Sequence, residues 1–175
     1  MLRSLDARQL ISRQTPTGTG TVTFAAIPQY FQDLEIVLNG RGTVVATNAV
    51  VIIHFNGDTT GNYDYEFLQA TAALAQGGGA LATSSPTVAN VCGSTAPAGA
   101  SGIARIYIPN YSGTTFQKSS LTLSNAKVNT ATTAGIFLQS YSVWWRNTAA
   151  ITQIELILAA NNWDTGSIVS LYGQP

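Results

Sequence analysis

Ile151-Thr152-Gln153-Ile154-Glu155-Leu156-Ile157-Leu158, then Asn161-Asn162, then Trp163-Asp164-Thr165-Gly166-Ser167-Ile168-Val169-Ser170-Leu171-Tyr172-Gly173, reads as strand, turn, strand. Side chains alternate along a strand, so Thr152, Ile154, Leu156 and Leu158 share one face and Gln153, Glu155 and Ile157 the other. Asn161, Asn162 and Gly166 supply the turn, because Asn and Gly tolerate positive φ. Ser167 to Tyr172 is the last strand. Just upstream, Ile136 to Trp145 is another, closing on Trp144-Trp145-Arg146.

The same signals recur towards the N-terminus. Val22 and Phe24 alternate with threonines up to Pro28; Leu34, Ile36 and Leu38 alternate with polar positions up to Gly40. Val44 to Phe55 is apolar on both faces of its second half, so both faces require cover, one of them by a loop or another subunit. Asn56-Gly57 is a hairpin turn. Tyr63, Tyr65 and Phe67 mark the next strand, Ile103 to Ile108 another, and Leu121 and Leu123 one ending near Lys127. Ala70 to Gly102, rich in Ala, Gly, Ser and Thr, reads as one long interface loop, with a short strand at Val88 to Val91. No amphipathic helix is visible. The expected fold is an all-β, jelly-roll-like antiparallel sandwich over residues 20–175. Its core should include Ile36, Ile52 or Ile53, Ile106, Leu123, Ile154 and Leu156.

Residues 1–19 differ in character. They hold Arg3, Arg8 and Arg13, three of the chain's six arginines, and the aliphatics Leu2, Leu5, Leu10 and Ile11 without a sustained period. They read as an N-terminal arm that docks on a neighbouring subunit.

The chain has 175 residues, of which 9% are charged and 45% hydrophobic, with zero formal net charge. Ordinary soluble proteins carry about 25% charged residues, so this surface is built from Thr, Ser, Asn, Gln and Gly and suits a chain packed against other chains. Zero net charge provides no field for nucleic acid or anionic lipid. The apolar runs are too short for a membrane helix. Cys92, the single cysteine, excludes an internal disulfide. The expectation is therefore no nucleic-acid or membrane partner.

Three stretches, in the order Phe24-Ala25-Ala26-Ile27-Pro28, Phe55-Asn56-Gly57-Asp58-Thr59-Thr60-Gly61-Asn62-Tyr63 and Ile106-Tyr107-Ile108-Pro109-Asn110-Tyr111, precede the terminal Leu171-Tyr172-Gly173. Together they resemble small virion structural proteins of tailed bacteriophages. The resemblance implies a virion protein made in the host cytoplasm and partnered by itself, as a homotrimer, and by the major capsid protein or other virion proteins. A capsid decoration, or cement, protein is the expected role. The expected protein interface is Leu2, Arg3, Leu5, Arg8, Leu10, Ile11, Arg13, Val51, Ile53, Trp145 and Arg146. Trp and Arg are enriched in interface hot spots, and of the adjacent pair Trp144 and Trp145 one must face outward. The alternative is a receptor- or glycan-binding module of the tail, using Trp163 with Asn161 and Asp164.

Catalysis is not expected. His54, the one histidine, lies in the most apolar strand, and no Gly-x-Ser-x-Gly elbow presents a serine. Asp58, Asp64 and Glu66 lie close in sequence, but a count of carboxylates is not a glycosidase pair. Asn56, Asp58, Thr60, Asn62 and Asp64 recur at every second position as in a calcium loop, yet Phe67 occupies the place of the bidentate Glu. Turn chemistry accounts for these residues, and no metal or cofactor is expected.

Overall fold

Alternating apolar and polar residues place twelve strands in the computed structural model, which describes residues 8–72, 74–129 and 135–175. In chain order they are β1 (Gln9–Gln14), β2 (Thr21–Phe24), β3 (Asp33–Gly40), β4 (Asn48–Phe55), β5 (Tyr63–Ala70) and β6 (Ala75–Thr83). There follow β7 (Thr87–Cys92), β8 (Gly102–Ile108), β9 (Lys118–Lys127), β10 (Ile136–Trp145), β11 (Ile154–Leu158) and β12 (Ile168–Gln174). They form two antiparallel sheets facing each other as a jelly-roll-like sandwich. The larger has eight strands in the order β1-β12-β3-β8-β9-β10-β5-β6; the smaller has four, β2-β11-β4-β7.

The core lies between them. Leu34, Ile36, Leu38, Ile106, Val143 and Leu171 of the large sheet meet Phe24, Val51, Ile53, Phe55, Ile154 and Leu156 of the small one. Each follows from period-two alternation, with the register fixed by burial of one face. Trp145 is fully buried beside Phe55 and Tyr63, ring centroids 5.7 and 6.3 Å away. The exposed face of β4 is closed near its end by a loop: His54 Nε2 lies 2.8 Å from the Ser84 carbonyl oxygen, and the Ile53 amide donates to Pro86.

The structure corrects the reading at several points. The first is the arm. Residues 9–14 are not detached: β1 pairs antiparallel with β12, with a register shift between Leu10 and Ser12. That bulge places Ile11 against the core while Leu10 stays exposed, which is why adjacent Leu10-Ile11 showed no strand period. Leu2, Arg3 and Leu5 lie outside the described residues.

The long Ala/Gly/Ser segment likewise contains β6 as well as β7. β6 pairs with β5 along its length, yet its side chains are almost all exposed, so no buried face imprinted a period on Ala75 to Thr83. β7 is buried on both faces.

The phase of β9 is also inverted. Lys118, Ser120, Thr122, Ser124 and Ala126 point inward, and Leu121 and Leu123 point out. Leu123, expected in the core, is 65% exposed. On the inner side Ser124 Oγ donates to Gln139, whose amide donates to Gln69 at 2.6 Å, and Asn90 Nδ2 donates to the Tyr141 hydroxyl. Burial pushes the Tyr141 phenol up to about 12 although the Asn90 hydrogen bond opposes it. A polar network thus occupies the space where the leucines were expected.

Candidate functional site: the outer face of the large sheet

With the leucines of β9 turned out, the large sheet presents them to solvent in register with other aliphatics. One transverse row reads Val37–Arg105–Leu123–Ser140–Leu68–Gly77, the next Glu35–Tyr107–Leu121–Ser142–Glu66–Gly79, and a third Asn39–Ile103–Asn125–Leu138–Ala70–Ala75. Leu121, Leu123, Leu138 and Leu68 are 55, 65, 63 and 61% exposed, and Ile103 and Ile136 about half exposed. Single exposed aliphatics are ordinary, but a contiguous patch on a sheet face marks a site of association.

The rims of this face are polar and ordered. On the β12 side, the buried Glu35 carboxylate accepts from Arg8 Nη1 at 2.7 Å and Arg105 Nε at 2.6 Å, and the Arg8 guanidinium lies 4.4 Å from the Tyr172 ring. Burial alone would raise the Glu35 carboxyl; the two guanidiniums hold it below its ordinary value instead. At the end of β10, Trp144 is 46% exposed and donates its indole N–H to Gln117 at 2.6 Å.

The remaining expected contact residues fall elsewhere. Val51 and Ile53 are completely buried on the inner face of β4, and Trp145 is 1% exposed; none reaches the surface. The phase of β10, set by inward Tyr141 and Val143, drives Trp145 in and Trp144 out. The Trp145 indole N–H donates to Asp58 Oδ2 at 2.8 Å. Trp163 is also buried, 1% exposed, with its ring against Gly40, so it offers no platform for a sugar; Asn161 is exposed in the left-handed turn, and Asp164 faces Arg41 at 3.8 Å. Arg146 is pinned beside the β4–β5 turn, donating to the Gly61 carbonyl oxygen at 2.6 Å and facing Asp64 at 3.6 Å. Arg13 donates to Ser170 Oγ across the β1–β12 edge.

The loop with calcium-like spacing is a closed turn. Asp58 Oδ1 accepts from the Thr60 amide and hydroxyl, and Oδ2 from Asn62 Nδ2 and the Trp145 indole. Burial would raise this carboxyl, but those four donors hold it far below the usual carboxylate range. Asp64 Oδ1 accepts the Ala82 amide. Among the described residues, no group of three or more His, Cys, Asp and Glu is placed to hold a metal. Cys92 Sγ donates to the Lys127 carbonyl oxygen, and burial raises its thiol.

One organising residue escaped sequence reading. The Arg41 guanidinium donates to the carbonyl oxygens of Ser94, Ala96, Pro97 and Ala100 at 2.8 to 2.9 Å, anchoring the β7–β8 loop. An arginine flanked by Gly40 and Gly42 carries no signal that names four carbonyls some 55 residues away.

No protein-family profile matches this chain, and no curated protein or solved structure matches it significantly. The resemblance to virion proteins therefore stands on its short motifs.

Proposed function

We propose that this chain is a structural subunit of a tailed-phage particle, an oligomeric decoration protein that acts by burying its surface against other protein chains. The motif resemblance suggests the particle and the major capsid protein as partner. The mode of action is supported by one observation above the rest: Leu121, Leu123, Leu138 and Leu68 form an exposed aliphatic field in the middle of an eight-stranded sheet. Burying such area yields roughly 25 cal/mol per Å² before the costs of association. Particles produced without the chain should take it up saturably and become more resistant to heat. Failure of the purified chain to bind them, with no trace of it in purified wild-type particles, would end this reading.

A glycan-binding module has one observation of its own. Trp144 borders a shallow depression with Glu66, Ser142 and Leu81, an aromatic ring beside acceptors. If that is its role, Trp144→Ala would abolish glycan binding and leave particle uptake intact.

A further inference from the structure

We infer that the occupant of the exposed face is a second copy of this chain, packed sheet against sheet about a two-fold axis that runs parallel to the strands between β10 and β5. The inference rests on the reading of that face as an interface and adds the partner and the register.

The register follows from the rows. A two-fold rotation about such an axis keeps each row at its own height and reverses the strand order. It lays β9 of one copy over β6 of the other, and β10 over β5. In the Leu123 row, Leu123 then faces Gly77 and Leu68 faces Ser140. In the Leu121 row, Leu121 faces Gly79 and Glu66 faces Ser142. In the third row, Leu138 faces Ala70 and Asn125 faces Ala75. All six pairs set a larger side chain against a smaller one. Facing sheets pack about 10 Å apart with interdigitated side chains, and large-against-small matching is what that spacing requires.

Three further observations agree. The trough that receives the leucines exists: an open depression of about 760 Å³ lies over β5, β6 and β10, among whose lining residues are Gly77, Gly79, Ser140 and Ser142. Gly79 is small for a reason of its own, since a Cβ there would collide with the Tyr65 carbonyl oxygen. At Gly77 a Cβ would only be tight, 3.2 Å from the Phe67 carbonyl oxygen. The footprint is also nearly free of charge. Across these three rows of β9, β10, β5 and β6 only Glu66 carries a formal charge. It faces a serine hydroxyl, with its symmetry mate one strand spacing, about 4.8 Å, to the side. The next row adds Asp64, which faces Arg146 of its own chain. Finally, the size suits weak self-association. Four strands about 4.8 Å apart and the four outward side-chain rows that β5 and β6 supply, about 6.8 Å apart, cover about 500 Å² per copy. The pair then buries about 1,000 Å², the size of a weak, reversible interface. An isologous contact of this kind closes at two subunits, in place of the trimer that the resemblance implied.

Sedimentation of the purified full chain from about 1 to about 100 µM should show a monomer–dimer equilibrium in this range. Leu123→Arg should weaken association at least about tenfold. The unfolding midpoint of the monomer should stay in place, because Leu123 touches nothing in its own core. The register is tested by mixing Leu123→Cys with Gly77→Cys and adding a short bifunctional thiol reagent; the mixture should cross-link and Leu123→Cys alone should not. A monomer throughout the range, a trimer, or a dimer indifferent to Leu123→Arg would overturn the inference. So would equal cross-linking of Leu123→Cys to itself. If the chain stays monomeric while Leu123→Arg abolishes uptake by particles, the two-fold dimer falls and the assembly reading stands, with another virion protein on this face.

Discussion

Two side chains, Arg41 and Asp58, hold the turns of this sandwich by saturating their hydrogen-bonding groups. Arg41 serves four carbonyls of one loop, of which Pro97 also accepts from the Ala100 amide. Arg41→Lys keeps the charge but loses the planar fork. It should cost about 2–3 kcal/mol in denaturant unfolding, since bonds to a charged group contribute about 1.5–3 kcal/mol. Asp58 gives a pH signature. Its carboxyl titrates lower in the folded chain than in the unfolded one. Its contribution is therefore complete above the unfolded pKa, about 4, and declines as pH falls towards the folded value. Asp58→Ala should destabilise the chain at pH 7 by about 1–3 kcal/mol, because the Trp145 indole loses its acceptor. The difference from wild type should shrink as the pH is lowered below about 4. A gap that stays constant through that range would assign the cost to packing instead.

At the scale of single strands, β9 and β1 are the informative elements. The inverted phase of β9 predicts opposite responses at adjacent positions. Leu121→Ser or Leu123→Ser should change monomer stability by less than about 0.5 kcal/mol, as surface substitutions do. Thr122→Leu, which adds apolar volume to a fully buried site, should cost about 1–3 kcal/mol through overpacking. Thermal or urea unfolding of the three variants decides it. For β1, deletion of residues 1–14 removes one of the two partners of β12, the packing of Ile11 and the Arg8 bond to Glu35. The expected loss is about 2 kcal/mol, the scale of burying one aliphatic side chain. An unchanged urea midpoint would make this segment a detachable arm after all.

For the molecule as a whole, the large sheet exceeds the small one by four strands, so part of its area has no partner within the chain. The β5–β6 hairpin shows the consequence most plainly: β6 is hydrogen-bonded to β5 yet exposed along its length. Association through a face with so little charge should persist at high salt, whereas contacts between exposed charges are screened over about 10 Å at 0.1 M. Far-UV circular dichroism should show a β spectrum without a helical component.

The sequence alone determined the all-β class and most strands, because burial of one face writes a period of two into Val22–Phe24, Leu34–Leu38, Tyr63–Phe67, Ile103–Ile108 and Ile154–Leu158. It also determined the turns at Asn56-Gly57 and Asn161, where positive φ selects the residue type. Periodicity names two faces without saying which is inside, and this is where tertiary structure decided. Ser120, Thr122 and Ser124 went in, Ser124 joining a polar network with Gln139 and Gln69 while the Ser120 and Thr122 hydroxyls are buried without a hydrogen-bond partner, and the leucines were left outside. The same ambiguity exchanged Trp144 and Trp145, resolved by the inward phase of Tyr141 and Val143, with Asp58 in the turn accepting the Trp145 indole N–H. The exposed face is a property of register across several strands far apart in the chain. No local stretch could show it, since each leucine by itself looks like a core residue.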